Sequence, residues 1–190
     1  VKAYVFSIGE KTTDLCVELM EFYGFEVILY QDQTSLWEKL KRFYTEALES
    51  GDEDVMRIDA DIIPNINSLK LTAYCSDSMG GSGTSTPKTW VCASGFDWYK
   101  QDRGAISIHV MHRDIIKKCL EHVEEAKDEV RPETYLWRLE DVNPHTLVVE
   151  DRSCGIHGYG QGDHRDRIKD LKHMRNQKYD WKLLEKIEAL

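Results

Sequence analysis

The chain lacks several signatures, and each absence narrows what it can be. It has no Gly-x-Gly-x-x-Gly and no Gly-x-x-x-x-Gly-Lys-Ser/Thr stretch, so neither a Rossmann dinucleotide fingerprint nor a P-loop is indicated. Its five cysteines (Cys16, Cys75, Cys92, Cys119, Cys154) form no Cys-x-x-Cys pair. Their odd number and irregular spacing point to reduced thiols in a cytoplasmic protein rather than a disulfide framework. No apolar run approaches the ~20 residues of a membrane span, so no transmembrane segment is expected. The N-terminus has no basic flank, long apolar stretch and cleavage site of a signal peptide. Val1 opens directly into a strand, so residues upstream are expected to have been removed. Positive charge is scarce too: 25 Lys and Arg against 34 Asp and Glu give a net −9. That balance argues against a non-specific nucleic-acid binder, which carries a basic footprint.

What is present describes a globular domain. At 190 residues, with 41% hydrophobic and 31% charged content, the chain can bury a proper core as one domain. Ala3 to Ile8 reads as a buried strand closed by Gly9. Thr12 or Thr13 then caps a helix with Leu15, Leu19, Met20, Phe22 and Tyr23 at helical spacing, ended by Gly24. Glu26 to Tyr30 is a second strand. Thr34 or Ser35 caps a second helix that buries Leu36, Trp37, Leu40, Phe43, Tyr44 and Leu48. A third strand follows Gly51. Strand–helix–strand–helix–strand is the pattern of right-handed βαβ units and a mostly parallel sheet flanked by helices. Beyond it, Leu69–Cys75, Thr89–Ala93, Ala105–Val110 and Thr146–Glu150 read as strands. Arg113–Glu125 and Glu133–Leu139 read as helices, the second opened by Pro132. Ser76 to Pro87 and Cys154 to Asp163 read as loops, the first placed as a lid, and 165–190 as a helical tail.

The third strand organises the rest. Asp54 to Asp61 (DVMRIDAD) ends on two carboxylates separated by one small residue. Val55, Ile58, Ile62 and Ile63 supply β-branched bulk, and Pro64 and Asn65 break the run. Ligands of open α/β sheets collect outside the carboxyl ends of the strands. Two acids there can hold a hard divalent cation, which in turn can hold a diphosphate. Taken alone, Asp59 and Asp61 read more often as solvated turn acids. The strand before them and the groups on the same edge raise the functional reading. Ser7, Ile8 and Gly9 end the first strand, Asp32 ends the second, and Arg57 could meet a phosphate oxygen. Far along the chain, His157 stands among Gly155, Gly158, Gly160 and Gly162. A histidine joining two carboxylates suits Mn²⁺ better than Mg²⁺ alone. A partial zinc site of Cys154, His157 and His164 is the competing metal reading.

With these residues in view, the chain resembles the GT-A class of nucleotide-sugar glycosyltransferases from Ala3 to about His164. The best-matching piece is Arg57-Ile58-Asp59-Ala60-Asp61-Ile62-Ile63. The resemblance implies a single GT-A-like α/β domain, with a donor half near 1–65, an acceptor half near 66–164 and a C-terminal helical segment, open to being part of a longer chain. It implies a UDP- or GDP-sugar donor held through Mn²⁺ (or Mg²⁺) by Asp59, Asp61 and His157, with a nucleoside pocket at Ser7, Ile8, Gly9 and Asp32. Glu133 matches the family's acidic helix start, where inverting members place a general base. Its usual Glu-Asp pair is Glu-Thr here, and Glu140-Asp141 is a second candidate. Inverting chemistry is preferred over retaining. Trp98, with Tyr99, and Asp102 are placed at a glycan or other hydroxyl acceptor. The alternatives are a sugar-1-phosphate nucleotidyltransferase, a non-catalytic nucleotide- or carbohydrate-binding module, and a protein-interaction domain using the mixed-charge tail.

Overall fold

A computed structural model describes residues 1–76, 89–98 and 102–159, with side chains described outside 74–76 and 150–152. The expected loop at Ser76–Pro87, Tyr99 and the tail at 165–190 therefore fall wholly or largely outside the described residues. The chain runs β1 (Lys2–Ser7), α1 (Thr13–Phe22), β2 (Glu26–Gln31), α2 (Leu36–Glu49), β3 (Asp54–Asp59), β4 (Ile62–Pro64) and α3 (Ser68–Ser76). It continues β5 (Trp90–Asp97), β6 (Asp102–His112), α4 (Arg113–His122), α5 (Pro132–Trp137) and β7 (Thr146–His157). The seven strands form one sheet in the order β2-β1-β3-β6-β5-β7-β4. The pairings β1–β2, β1–β3 and β5–β7 are parallel, and β3–β6, β5–β6 and β4–β7 antiparallel. Five strands thus share one direction, and only β6 and β4 oppose it.

Strand alternation divides the core between the two faces of the sheet. Ala3, Val5, Met56 and Ile58 pack with Cys16 and Met20 of α1 and Leu71 of α3. Tyr4, Phe6 and Val55 pack with Leu40, Phe43 and Tyr44 of α2, Ile116 of α4 and Leu136 of α5. α2 begins with a capping box in which Ser35 Oγ accepts from Glu38 N (3.2 Å) and Glu38 Oε2 accepts from Ser35 N (2.8 Å). Among the described residues no helix is long and apolar enough to cross a membrane.

Several expectations from sequence are corrected. α1 buries Thr13, Cys16 and Met20, while Leu15 faces outward and Phe22 is 81% exposed. Its buried stripe runs i, i+3, i+7 through Thr13, Cys16 and Met20, and two of these three are small side chains. Leu69–Cys75 is helical, not a strand. Turn bonds Ser68 N to Asn65 O, Leu69 N to Ile66 O and Lys70 N to Asn67 O start α3, and a short apolar alternation does not separate helix from strand. Ile62 and Ile63 do not continue β3. The chain turns at Ala60-Asp61 and re-enters the sheet as β4 at the far edge. Cys154–His157, expected as loop, is the end of β7.

The sheet reaches its own far edge by curling. Between Ala93 and Ser94 of β5, β7 advances from Val149 to Ser153, a bulge that bends it. Its end then pairs with β4 in the register Ile62↔His157, Ile63↔Ile156 and Pro64↔Gly155. This pairing needs a bare backbone at Gly155, since a Cβ there would stand 2.7 Å from Ile63 O. Gly155→Ala is expected to cost about 1–3 kcal/mol of stability by forcing β4 from β7, measured by urea denaturation. An unchanged midpoint would show that the β4–β7 contact is slack.

Candidate functional site

The Asp59-Ala60-Asp61 turn is held from three directions. Ala60 N donates to Phe6 O (2.8 Å), Thr12 Oγ1 donates to Ala60 O (2.6 Å) and Gly158 N donates to Asp61 O (2.9 Å). The Ala60 methyl is fully buried in the core. The backbone therefore fixes both carboxylates at the end of the sheet where β1, β3, β5 and β7 terminate.

His157, at the end of β7, stands between two aspartates. Its Nε2 lies 3.5 Å from Asp61 Oδ2, and its Nδ1 lies 3.4 Å from Asp97 Oδ2. Asp97 ends β5 and is the register partner of His157, whose carbonyl accepts from Trp98 N (2.9 Å). Burial opposes the imidazolium, but Asp61 and Asp97 outweigh it and lift His157 from its ordinary 6.5 to about 10. Sequence reasoning missed Asp97. Its one signal was an acid at a strand end, hidden among the aromatics Phe96, Trp98 and Tyr99.

A second network lies on the α2 and α5 side. Arg57, 2% exposed, donates through Nη2 to Asp59 Oδ1 (2.9 Å) and through Nη1 to Glu133 Oε2, and its guanidinium sits 5.0 Å from the Phe6 ring centre. Burial works against the Arg57 charge, and Glu133 and Asp59 outweigh it. Burial likewise raises Glu133, but Arg57 more than reverses that and holds its carboxyl well below the usual range. A carboxylate so stabilised is poorly matched to proton abstraction near neutral pH. His109, the β6 partner of Arg57, accepts from Trp90 Nε1 (3.0 Å), and Trp137 stacks on Trp90. Burial, reinforced by Arg57, lowers His109 to about 3, so it stays neutral.

The expected nucleoside end is tied up internally. Gly9 takes φ 95°, as a turn glycine does. Ile8 N donates to the buried Glu10 carboxylate (2.8 Å), which also accepts from Ser7 Oγ (2.8 Å), and Gly9 N donates to Ser7 Oγ (2.9 Å). Lys39, buried from α2, donates to Ser7 O and to Asp32 O (2.9 Å), binding the ends of β1 and β2 together. Asp32 accepts from Thr34 N (3.1 Å) and Arg42 Nη1 (3.3 Å); the Thr34 hydroxyl, with Lys39 and Arg42, holds its carboxyl below the usual range. Glu10 and Lys39 were also missed, because a loop acid and a helix lysine carry no sequence mark of burial.

On the acceptor side, Trp98 and Tyr159 meet edge to face at 4.8 Å between ring centres and are 40% and 46% exposed. Asp102 is the β6 partner of Asp97 and accepts from Arg103 N (2.7 Å). Glu140 and Asp141 are surface residues. For zinc, Cys154 is buried, and His164 lies outside the described residues.

Among the described residues, no three His, Cys, Asp or Glu side chains converge as a metal-holding group. Asp61 and His157 are brought together; Asp59 has one oxygen on Arg57. The donors still fit a divalent cation shared with a ligand. Asp61 Oδ2 and His157 Nε2 at 3.5 Å approach the spacing of roughly 3 Å expected of neighbouring donors on one small cation. Such ions commonly take one or two protein ligands and complete their shell with substrate phosphates and water.

No protein-family model matches the chain, and no curated protein does. Solved structures do share its fold. One is described as a glycosyltransferase involved in the glycosylation of the major capsid of PBCV-1, at TM-score 0.53 and 12% identity over 90% of this chain and 100% of that one. A second is A197 from STIV, at TM-score 0.56 and 12% identity over 79% of this chain and 82% of that one. A third is 4-diphosphocytidyl-2C-methyl-D-erythritolsynthase from Anaerococcus prevotii DSM 20548, at TM-score 0.54 and 9% identity over 92% and 95%. The chain has the GT-A-like α/β fold of these glycosyltransferase and nucleotidyltransferase neighbours.

Two stability measurements test this electrostatic framework. Arg57→Met leaves Glu133 and Asp59 without their cation and is expected to cost about 3 kcal/mol in urea unfolding. Below about pH 6.5 the unfolded chain takes up a proton at His109 that the folded chain refuses until about pH 3. Stability therefore falls as pH drops through that window, by on the order of 2–4 kcal/mol from this residue. His109→Gln keeps an acceptor for Trp90 and should remove that part of the acid sensitivity. Identical pH profiles for the two proteins would mean that His109 is protonated in the folded state.

Proposed function

We propose that this protein is a divalent-cation-dependent glycosyltransferase, moving a sugar from a nucleotide-sugar such as a UDP- or GDP-sugar to a hydroxyl acceptor such as a glycan. The observation that carries the reading is the pairing of Asp61 with His157 on a GT-A-like sheet, one carboxylate and one imidazole at the strand ends where a phosphorylated ligand would lie. Mn²⁺ or Mg²⁺ bound there would supply Lewis-acid neutralisation of a departing nucleoside diphosphate. Asp61 and His157 hold it. Arg57 fixes Asp59 in place beside them. Ser7, Ile8, Gly9 and Asp32 form the wall beside the nucleoside, braced by Lys39. Trp98 and Tyr159 offer ring faces and edges to an acceptor sugar, with Asp102 on the neighbouring strand.

In this reading Glu133 is an anchor rather than the general base that the resemblance implies. Bound to Arg57, it serves better as an anchor of the donor side than as the base an inverting route requires. The anomer of the product, read by NMR, decides between inversion and retention.

The nucleotidyltransferase reading is less well served. Cradling a nucleoside triphosphate calls for free loop amides, and the Ile8 and Gly9 amides already bond to Glu10 and Ser7. A non-catalytic binding module differs from an enzyme only in turnover.

Calorimetric titration of the protein with UDP-, GDP- and other nucleotide sugars, with and without Mn²⁺, tests the proposal. One donor should bind only with the metal, and Asp61→Ala should weaken it by more than about 100-fold, beyond the usual effect of a supporting residue. Binding of no donor would remove the reading, and binding without hydrolysis or transfer would leave a binding module. Glu133→Gln should lower stability and donor binding together. A fall in transfer alone, with both of these intact, would restore Glu133 as the base.

A further inference from the structure

The proposed reading accounts for Asp61 and His157 but gives no work to Asp97, a buried acid on the opposite side of the same imidazole. The two aspartates address different ring nitrogens: Asp61 Oδ2 faces Nε2 at 3.5 Å and Asp97 Oδ2 faces Nδ1 at 3.4 Å. They arrive on different strands, Asp97 at the end of β5 and Asp61 just before β4, and β7 runs between them in register with both strands. The backbone bonds from Trp98 N to His157 O and from Gly158 N to Asp61 O fix the ring between these neighbours.

We propose that Asp97 is a positioning residue for the cation: it holds the proton on Nδ1 of His157 and so turns Nε2, as a neutral donor, toward a divalent ion shared with Asp61. This rests on the reading that Asp61 and His157 hold that ion. The chemistry demands such a partner. Coordination needs an unprotonated ring nitrogen, and a metal-bound histidine almost always gives its other N–H to a carboxylate, carbonyl or water, which sets tautomer and ring orientation. The geometry also says which side is which. Asp97 is paired on both flanks, with Asp102 of β6 and His157 of β7, so it sits inside the sheet. Asp61 follows the turn that also carries Asp59, whose side chain is 27% exposed at the end of β3. The Nε2 side is thus the one that borders a part-exposed strand end.

Mn²⁺ binding to the full chain, followed by electron paramagnetic resonance without any nucleotide, provides the first test. Asp97→Asn should weaken Mn²⁺ about 10–100-fold while thermal melting shows a folded protein. His157→Ala and Asp61→Asn are titrated alongside. If they abolish Mn²⁺ binding and Asp97→Asn leaves it unchanged, the Asp97 proposal is overturned and the metal reading stands. If wild type binds no Mn²⁺, or none of the three changes affects it, the metal reading falls and this proposal with it. The second test needs no variant, and so stands even if Asp97→Asn fails to fold. In ¹⁵N-histidine-labelled wild type saturated with Mg²⁺, the His157 ring should carry its proton on Nδ1 and none on Nε2. A proton on Nε2, or on both nitrogens, would overturn the proposal.

Discussion

The meeting of Asp61 with His157 depends on the close approach of two backbones, at Gly155 of β7 and Ile63 of β4. β3 lies near the middle of the sheet and β4 at its edge, yet only Ala60 and Asp61 separate them in sequence. That connection is possible only because β7 bends at its bulge and brings the far edge back over the end of β3. The same curl sets His157 against Asp61. Fold closure and site assembly are therefore one event, and the apolar burial of Ile62 and Cys154 that drives the first also drives the second.

Charge is arranged around this closure with economy. The protein is acidic overall, and Asp59, Asp61 and Asp97 stand at or just past strand ends, with Glu133 reaching Arg57 from α5. Two basic side chains hold the acids in place: the Arg57 guanidinium between Asp59 and Glu133, and the His157 imidazole between Asp61 and Asp97. Arg57 also ties α5 to the centre of the sheet, since Glu133 comes from that helix's first turn. Breaking either pair leaves a carboxylate short of its counter-charge, which is far more costly than the net gain from making the pair.

The first half of the fold was legible because its signals are local. Alternating strands, a capping box at Ser35 and glycines at helix ends recur within short windows, and β1, β2, β3, α1 and α2 appear where they were expected. The middle was not, for identifiable reasons. Leu69 to Cys75 alternates like a strand, but its first residues close helical turns with Asn65, Ile66 and Asn67. His157 was expected in a glycine-rich loop, whereas Gly155 is there so that a strand can pack closely. Asp61 and His157 could be singled out from the residues themselves, but their meeting depends on a bulge in β7 at Val149–Ser153, far beyond β3 in sequence, which no local pattern reveals. Asp97, Glu10 and Lys39 escaped because their importance lies in what they touch.

Ala60 gives the Asp-Ala-Asp stretch an unusual status. The two acids meet Arg57 and His157, while the methyl between them is packed fully inside the core, with its amide on Phe6 and its carbonyl on Thr12. A larger side chain there would press on the hydrophobic interior before it affected any chemistry. Ala60 is therefore constrained by the core it fills, and Asp59 and Asp61 by the charges set against them. Three consecutive residues answer to two different physical demands.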